Sequence, residues 1–245
     1  MKERPIIFSA ESVRAILAGQ KTQARRLNGL ADLNAHGGNL EGMGDMGQLG
    51  YRGLDPSDYY RKDKAFFREN PGMCHWFLGQ HGGQVNPIPV RCSFGAAGDR
   101  LWVREVWGLY DTLPSDGPEG ATIGYRASGV DMAPNGRLQL WRSPIHMPRW
   151  ASRLTLEIVS VRVERLQEIS DDDCFAEGIK RYKIPKRDIP IIGGGDLFVP
   201  VGPSDFIGCG TPRGAFERSW DHLHGKGAWK ANPWVWRIEF RRVGT

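Results

Sequence analysis

Lys21, Arg25 and Arg26 crowd into the stretch Ile16-Leu17-Ala18-Gly19-Gln20-Lys21-Thr22-Gln23-Ala24-Arg25-Arg26. A lysine and two arginines held at one place can grip a phosphate or polarise a carbonyl, arginine as a planar fork and lysine as a point charge. The same charges also serve a plainer purpose, because basic residues at a helix C-terminus oppose the helix dipole and are otherwise solvated. Position decides between the two. Pro5 to Phe8 reads as a short apolar strand, and Ser9 can cap a helix whose Val13, Ile16 and Leu17 fall on one face. Gly19 suits the left-handed residue that ends a helix. The cationic run is therefore predicted to emerge at a fixed point beside the core. Thr22 places a hydroxyl within it.

A second kind of chemistry lies in arginine beside an aromatic ring, the usual means of stacking and neutralising single-stranded RNA. The chain holds nine tryptophans. Most are expected to fill the core, as large rings do in a small sheet protein. Trp141-Arg142 and Arg149-Trp150 flank the turn from Ser143 to Pro148 and are the candidates for a base-stacking rim; Tyr125-Arg126 repeats the pairing. His146, in that same turn, is either a general base or a hydrogen-bonding spacer. Glu105 follows a strand-like run and is expected to pair with Lys21 or Arg26, structurally or catalytically. His222 and His224, two apart on a predicted helix, point to different faces, which argues against a shared metal.

Net charge is +5 with pI near 9.1, which favours anionic partners such as nucleic acid without demanding them. No run of about 18 apolar residues exists, so no membrane span is expected. The start, Met1-Lys2-Glu3-Arg4-Pro5, lacks an apolar signal core, and a cytoplasmic location is predicted. Cys74, Cys92, Cys174 and Cys209 form no CxxC pair. A site from Cys74, His75, His81 and Cys92 fits no common zinc spacing, and reduced structural thiols are the better reading. The chain has no GxxxxGK[ST] loop or HExxH helix, so nothing supports P-loop nucleotide hydrolysis or zinc proteolysis. No cofactor or metal is expected.

Several elements must position these residues. Arg100 to Trp107 alternates like a strand entered through the Gly98-Asp99 turn. In Ser152–Leu166, Leu154, Leu156 and Ile158 are in phase, and the phase then shifts to Val159, Val161 and Val163. A bulge near residues 158 to 160 is predicted. Ser170 before three aspartates, Asp171 to Asp173, is a capping signal for a short helix ending near Glu177-Gly178. Thr211-Pro212 opens another helix, with Phe216, Trp220 and Leu223 on one side and Gly225 at its end. Trp234 to Arg241 alternates as a terminal strand. Between these lie two apparent insertions. One spans about 30–97 and contains the seven-glycine stretch from His36 to Gly53, expected to be a mobile or irregular loop. The other spans Lys183 to Gly210. Short helices between curved, non-parallel strands point to an α+β barrel.

Four blocks, PIIFSAESVRAILAGQKTQARR (5–26), GDRLWVREVW (98–107), RSPIHMPRWASRLTLEIVSVRVERLQEISDDDCFAEGI (142–179, ending Glu177-Gly178-Ile179) and FERSWDHLHGKGAWKANPWVWRIEF (216–240), stand in an order that resembles the ASCH family of the PUA-like superfamily. The resemblance is to the long versions encoded by phages and prophages. It implies a single domain over 1–245, a small mixed β-barrel with packed short helices, and a cleft beside a GxKxxTxR motif. It also implies RNA or modified-nucleoside binding for many members. In one branch, which hydrolyses the amide of acetylated cytidine, the motif's lysine and threonine act with a glutamate from a later helix. Gly19, Lys21 and Arg26 match that motif, and Glu177 is the matching glutamate. The threonine position is Ala24, which has no hydroxyl to attack a carbonyl or place a water. Thr22, two residues before it, is the substitute hydroxyl.

Three functions follow as expectations. The first is binding of RNA or a modified nucleotide in a cleft made by residues 19–26, Glu105 and Glu177. The second is hydrolysis, by an amidohydrolase on acylated cytidine or a ribonuclease, with Lys21 and Glu177 directing a water. The third is a phage assembly or host-interaction scaffold, with the two insertions contacting a phage or host protein.

Overall fold

The computed structural model describes residues 1–31, 34, 40–43, 74–81, 84–109, 123–129, 140–184, 195–200 and 208–244, with the strands inside 40–91 given as backbone. The strands are Glu3–Ile7 (β1), Gln23–Arg26 (β2), Leu40–Met43 (β3), Cys74–His81 (β4), Gln84–Arg91 (β5), Arg100–Arg104 (β6), Trp107–Leu109 (β7), Ile123–Tyr125 (β8), Thr155–Arg165 (β9), Lys180–Ile184 (β10), Gly195–Val199 (β11) and Trp234–Arg242 (β12). Three α-helices are described, Ala10–Leu17 (α1), Asp171–Ala176 (α2) and Pro212–His224 (α3). The fold is mixed α+β.

The principal sheet runs β1-β6-β9-β12-β2, parallel between β1 and β6 and antiparallel elsewhere. Its centre is β9 against β12. Strict alternation in β12 sends Trp236, Ile238 and Phe240 into one core and Val235 into a second core on the opposite face. The first core also takes Ile6, Phe8, Val13, Ile16, Leu101 and Leu156, so α1 covers that face. The second joins the sheet to α2 and α3 through Leu166, Cys174, Ile179, Phe216, Trp220 and Trp229. The predicted bulge is present: Glu239 pairs with Ser160 and Phe240 with Ile158, leaving Val159 over and exposed. That extra residue lets Leu156 and Ile158 face the same core as Val161 and Val163.

Among the described residues the sheet does not close into a barrel. Strands β1 and β2 are the two edges of the sheet, and among the described residues no ladder joins them. The reason lies in their connection, because α1 fills the space between them with Val13 and Ile16 packed against Ile6, Phe8 and Ala24. A side chain spans the gap instead. The Arg26 guanidinium donates to the Ile7 carbonyl at 2.7 Å and lies 5.0 Å from the centre of the Phe8 ring.

Both insertions contain strands. Strands β3, β4 and β5 form an antiparallel sheet within 30–97, and β3 falls inside the glycine-rich stretch expected to be irregular. Strand β11 falls within the second insertion and pairs with β10. The rest of 36–53, and residues 185–194 and 201–207, lie outside the described residues. The strand-like run ends at Arg104, where the Glu105 N–H turns to the Met147 sulfur, and pairing resumes between β7 and β8. No helix among the described residues is long and apolar enough to cross a membrane.

Candidate functional site

The sheet register places Arg162 of β9 opposite Arg237 of β12, and Arg237 opposite Arg25 of β2. Three like charges in one cross-strand row repel unless anions interleave. Three carboxylates do so. Glu164 accepts from Arg25 at 2.6 and 3.0 Å and from Arg162 at 2.8 Å. Asp173 accepts from Arg237 at 2.9 Å and lies 3.3 Å from Arg25. Glu177 accepts from Arg25 at 3.2 Å. The Arg25 side chain is fully buried, and these three anions outweigh the burial that would otherwise discourage its charge.

Lys21 enters the network from the turn after α1. Gly19 takes the predicted left-handed conformation (φ 70°), and the N–H groups of Gln20 and Lys21 both return to the Ala15 carbonyl. The Thr22 N–H then donates to the Ala176 carbonyl at 2.8 Å, which fixes the segment on the last turn of α2. That helix begins with the predicted reciprocal cap of Ser170 and Asp173, and Glu177 stands at its C-cap. Lys21 is only 7% exposed, and its ammonium donates to the Glu177 carbonyl at 2.8 Å and to its Oε2 at 2.5 Å. An ammonium on the last carbonyls of a helix completes orphan acceptors and opposes the dipole, so Lys21 has a structural role whatever else it does. Burial, opposed by Glu177, pushes its pKa below the ordinary lysine value. An ammonium carries three protons, and two are donated to Glu177, so one N–H is left over.

Beside that ammonium, in the opening between the two sheet edges, lies a cavity of about 130 Å³. Lys21, Arg26 and Glu177 are among its polar lining residues, Ala24 lines it as well, and Phe8, Phe216 and Trp220 are its aromatic walls. Arg26 is half-buried, with the Ile7 carbonyl and the Phe8 ring as its contacts and no carboxylate partner among the described residues. His224 stands at the rim, its ring 4.1 Å from that of Trp220. Burial and the nearby Arg26 charge both push its pKa down, toward the neutral imidazole. Neither family models, nor curated proteins, nor solved structures yield a match to this chain.

The site brings together Lys21, Arg25, Arg26 and Glu177, as predicted, and leaves other candidates elsewhere. Thr22 is exposed and absent from the cavity wall; its neighbour Ala24 lines the wall and packs in the core, where a small apolar residue fits. Glu105 meets neither Lys21 nor Arg26. It is buried and takes a two-pronged contact from Arg153 at 2.9 and 3.0 Å.

The arginine–aromatic candidates also lie away from the cavity wall. The Tyr125 hydroxyl donates to the Ala151 carbonyl, with Arg153 over its ring at 4.0 Å, and Arg126 is exposed beside it. Arg142 lies 5.1 Å over Trp107, while Trp150 meets Trp107 edge-on and is 63% exposed. Arg149 pairs with Glu3 at 3.0 Å, His146 is exposed in a single turn, and Trp141 is half-buried. These residues form a separate surface. The side chains of Cys74, His75 and His81 lie outside the described residues, and Cys92 and Cys174 are buried thiols pushed up to about 11 and about 12 by that burial.

Sequence reading missed Glu164, Asp173 and Arg237 as one network, and Trp220 and His224 as cavity walls. One signal was present for Arg237, a charge on β12 between the apolar Trp236 and Ile238. Asp173 gives a test of the network. Burial alone would raise its carboxyl pKa, but Gln23, Arg237 and Arg25 outweigh it and hold the pKa down to about 2. A depressed carboxyl stabilises the fold above its ordinary value and loses that contribution as pH falls through the folded value. Asp173→Asn is therefore expected to cost about 2 kcal/mol at pH 7, with the gap to wild type closing between about pH 4 and about pH 2. Urea unfolding at pH 7, 4 and 3 measures it, and a gap independent of pH would remove the ion-pair account.

Proposed function

We propose that the cavity binds one base of RNA or of a modified nucleotide, with the base against the aromatic walls and its polar edge on Lys21 and Arg26. The observation that carries this reading is Arg26, a cation at the wall with no carboxylate ion-paired to it among the described residues. Size supports it. An engineered apolar cavity of about 150 Å³ holds one benzene ring, so a volume of about 130 Å³ suits a single pyrimidine ring and leaves sugar and phosphate outside. The resemblance of Gly19, Lys21 and Arg26 to the GxKxxTxR motif points the same way.

Arg26→Gln is expected to weaken binding of cytidine-containing oligoribonucleotides about 10- to 100-fold, as loss of one charge-assisted contact does, with no change in thermal stability beyond a few degrees. Wild-type affinity should also fall steeply with salt. An affinity that ignores both Arg26→Gln and salt would sink the proposal.

One observation favours hydrolysis as the second reading. Lys21 and Glu177 touch at 2.5 Å beside a ring-sized cavity, and burial favours a neutral lysine amine. Such a pair can orient and deprotonate a water at an acylated exocyclic amine without a covalent step. Both Glu177 oxygens are already engaged, by Lys21 and Arg25, so Lys21 rather than Glu177 would face the water. Turnover of acetylated cytidine by the native chain, lost in Lys21→Ala, would establish this reading. Turnover that arises only in Ala24→Thr would mark the native chain as a binder.

A further inference from the structure

Ile179 forms part of the cavity wall and also part of a second, more open groove of about 500 Å³. Gln20, from the cationic turn, and Phe175, from α2, line one side of that groove; Lys180, Arg181 and Tyr182 of β10 line the other. The strand holds Lys180 and Tyr182 two residues apart and so on one face. Tyr182 is 50% exposed, so part of its ring is open to a ligand. Lys180 is exposed with no carboxylate partner among the described residues. Arg181 pairs with Asp196 across the hairpin, and Lys183 adds a further positive charge near it. On the described strands β10 and β11, three cations, Lys180, Arg181 and Lys183, accompany one acid, Asp196.

We propose that this groove is a second nucleotide subsite, holding the residue next in the chain to the base in the inner cavity, so that the ligand is a single-stranded oligonucleotide rather than a free nucleoside. The inference rests on the nucleotide-binding reading of the inner cavity. Geometry and charge carry it. The inner cavity has room for one ring, so a polymer's sugar–phosphate must leave across its wall, and the groove on the far side of Ile179 has space for the next unit. Tyr182 offers a ring face to its base, and stacking of that kind tolerates any sequence. Lys180 offers the phosphate a charge, and Gln20 a neutral hydrogen-bonding edge. An aromatic ring between cations is the pattern of single-strand binding, in which each element contributes separately.

The test compares two probes, cytidine 5′-monophosphate and fluorescently labelled hexacytidylate, on the full chain. Tyr182→Ala and Lys180→Gln, each at an exposed position, should weaken hexacytidylate about tenfold or more. Both variants should leave the monophosphate unchanged. Lys180→Gln should also reduce the slope of log affinity against log salt by about 0.7. Arg26→Gln, in the inner cavity, should weaken both probes. Equal losses for the two probes in the β10 variants, or no loss for either, would overturn the second subsite while leaving the inner one standing. Displacement of hexacytidylate by polyglutamate at matched charge would likewise overturn it, since an acidic chain without bases should not compete. Failure of both probes to bind the native chain would instead bring down the nucleotide reading and the subsite together.

Discussion

Arg25→Met is expected to destabilise the protein by about 3–5 kcal/mol, the cost of stranding buried charge rather than the value of any single contact. The methionine fills similar space and keeps a soft apolar contact toward Phe216, over which the guanidinium now lies at 5.8 Å. What changes is electrostatic. Glu164, Asp173 and Glu177 converge on Arg25, and without it they face one another across a buried seam with only Arg162, Arg237 and Lys21 at their far sides. Protonation is the relief available to stranded carboxylates. With one of its cations gone, the Asp173 carboxyl climbs from about 2 toward its ordinary value, so the stabilisation it gives above about pH 4 shrinks. The deficit of Arg25→Met should therefore hold from pH 8 down to about pH 4 and narrow between about pH 4 and about pH 2. Urea unfolding at pH 8, 4 and 3 checks this. A deficit below about 1 kcal/mol at pH 8 would mean that water reaches the seam and the network is surface-like.

Most of the frame around this seam was legible in the sequence. Ser9, Ser170 and Thr211 each cap the helix that follows, and Gly19 turns where it was expected to, because capping and left-handed turns depend on a few neighbouring atoms. The bulge at Val159 was legible for the same local reason, a slip in the two-residue period. Closure of the sheet was not. Whether β1 meets β2 depends on what α1 packs between them, a contact set by tertiary volume rather than by either strand. The glycine-rich stretch misled in another way. Composition disfavours a buried element there, yet the backbone ladder of β3 on β4 uses no side chain for its hydrogen bonds.

The site was half legible for a related reason. Lys21, Arg25 and Arg26 announce themselves by local density, whereas their partners come from β9, α2 and β12, more than a hundred residues away. A period-two pattern shows that Glu164 and Arg237 share a face of the sheet, but not that Arg25 lies in register beside them. Glu105 illustrates the converse. Its type and place suited a partner in the cationic turn, and Arg153, nearer in space, took both of its oxygens. A buried carboxylate is satisfied by the closest fork, and sequence spacing does not rank forks.

Glu177→Gln is the complementary case, with the opposite pH signature. It is expected to cost about 3–5 kcal/mol at neutral pH, because Lys21 and Arg25 lose the anion between them while remaining buried. The amide keeps a carbonyl to accept from Lys21, and the backbone contact at 2.8 Å does not depend on the side chain, so the loss is chiefly one of charge. Burial already depresses the Lys21 pKa, and Glu177 is the main opposing influence. Removing that opposition drives the folded pKa further below the unfolded value of about 10.4. A lysine with a depressed folded pKa binds fewer protons folded than unfolded, so stability rises with pH from the folded value up to the unfolded one. The deficit of Glu177→Gln should thus narrow between pH 7 and pH 9.5, where that of Arg25→Met does not. Adding Lys21→Met should then recover much of the loss, as replacing both members of a buried pair often does. The double-mutant cycle in urea separates the cases: a double variant no better than Glu177→Gln would show that Arg25, not Lys21, is the charge that Glu177 serves.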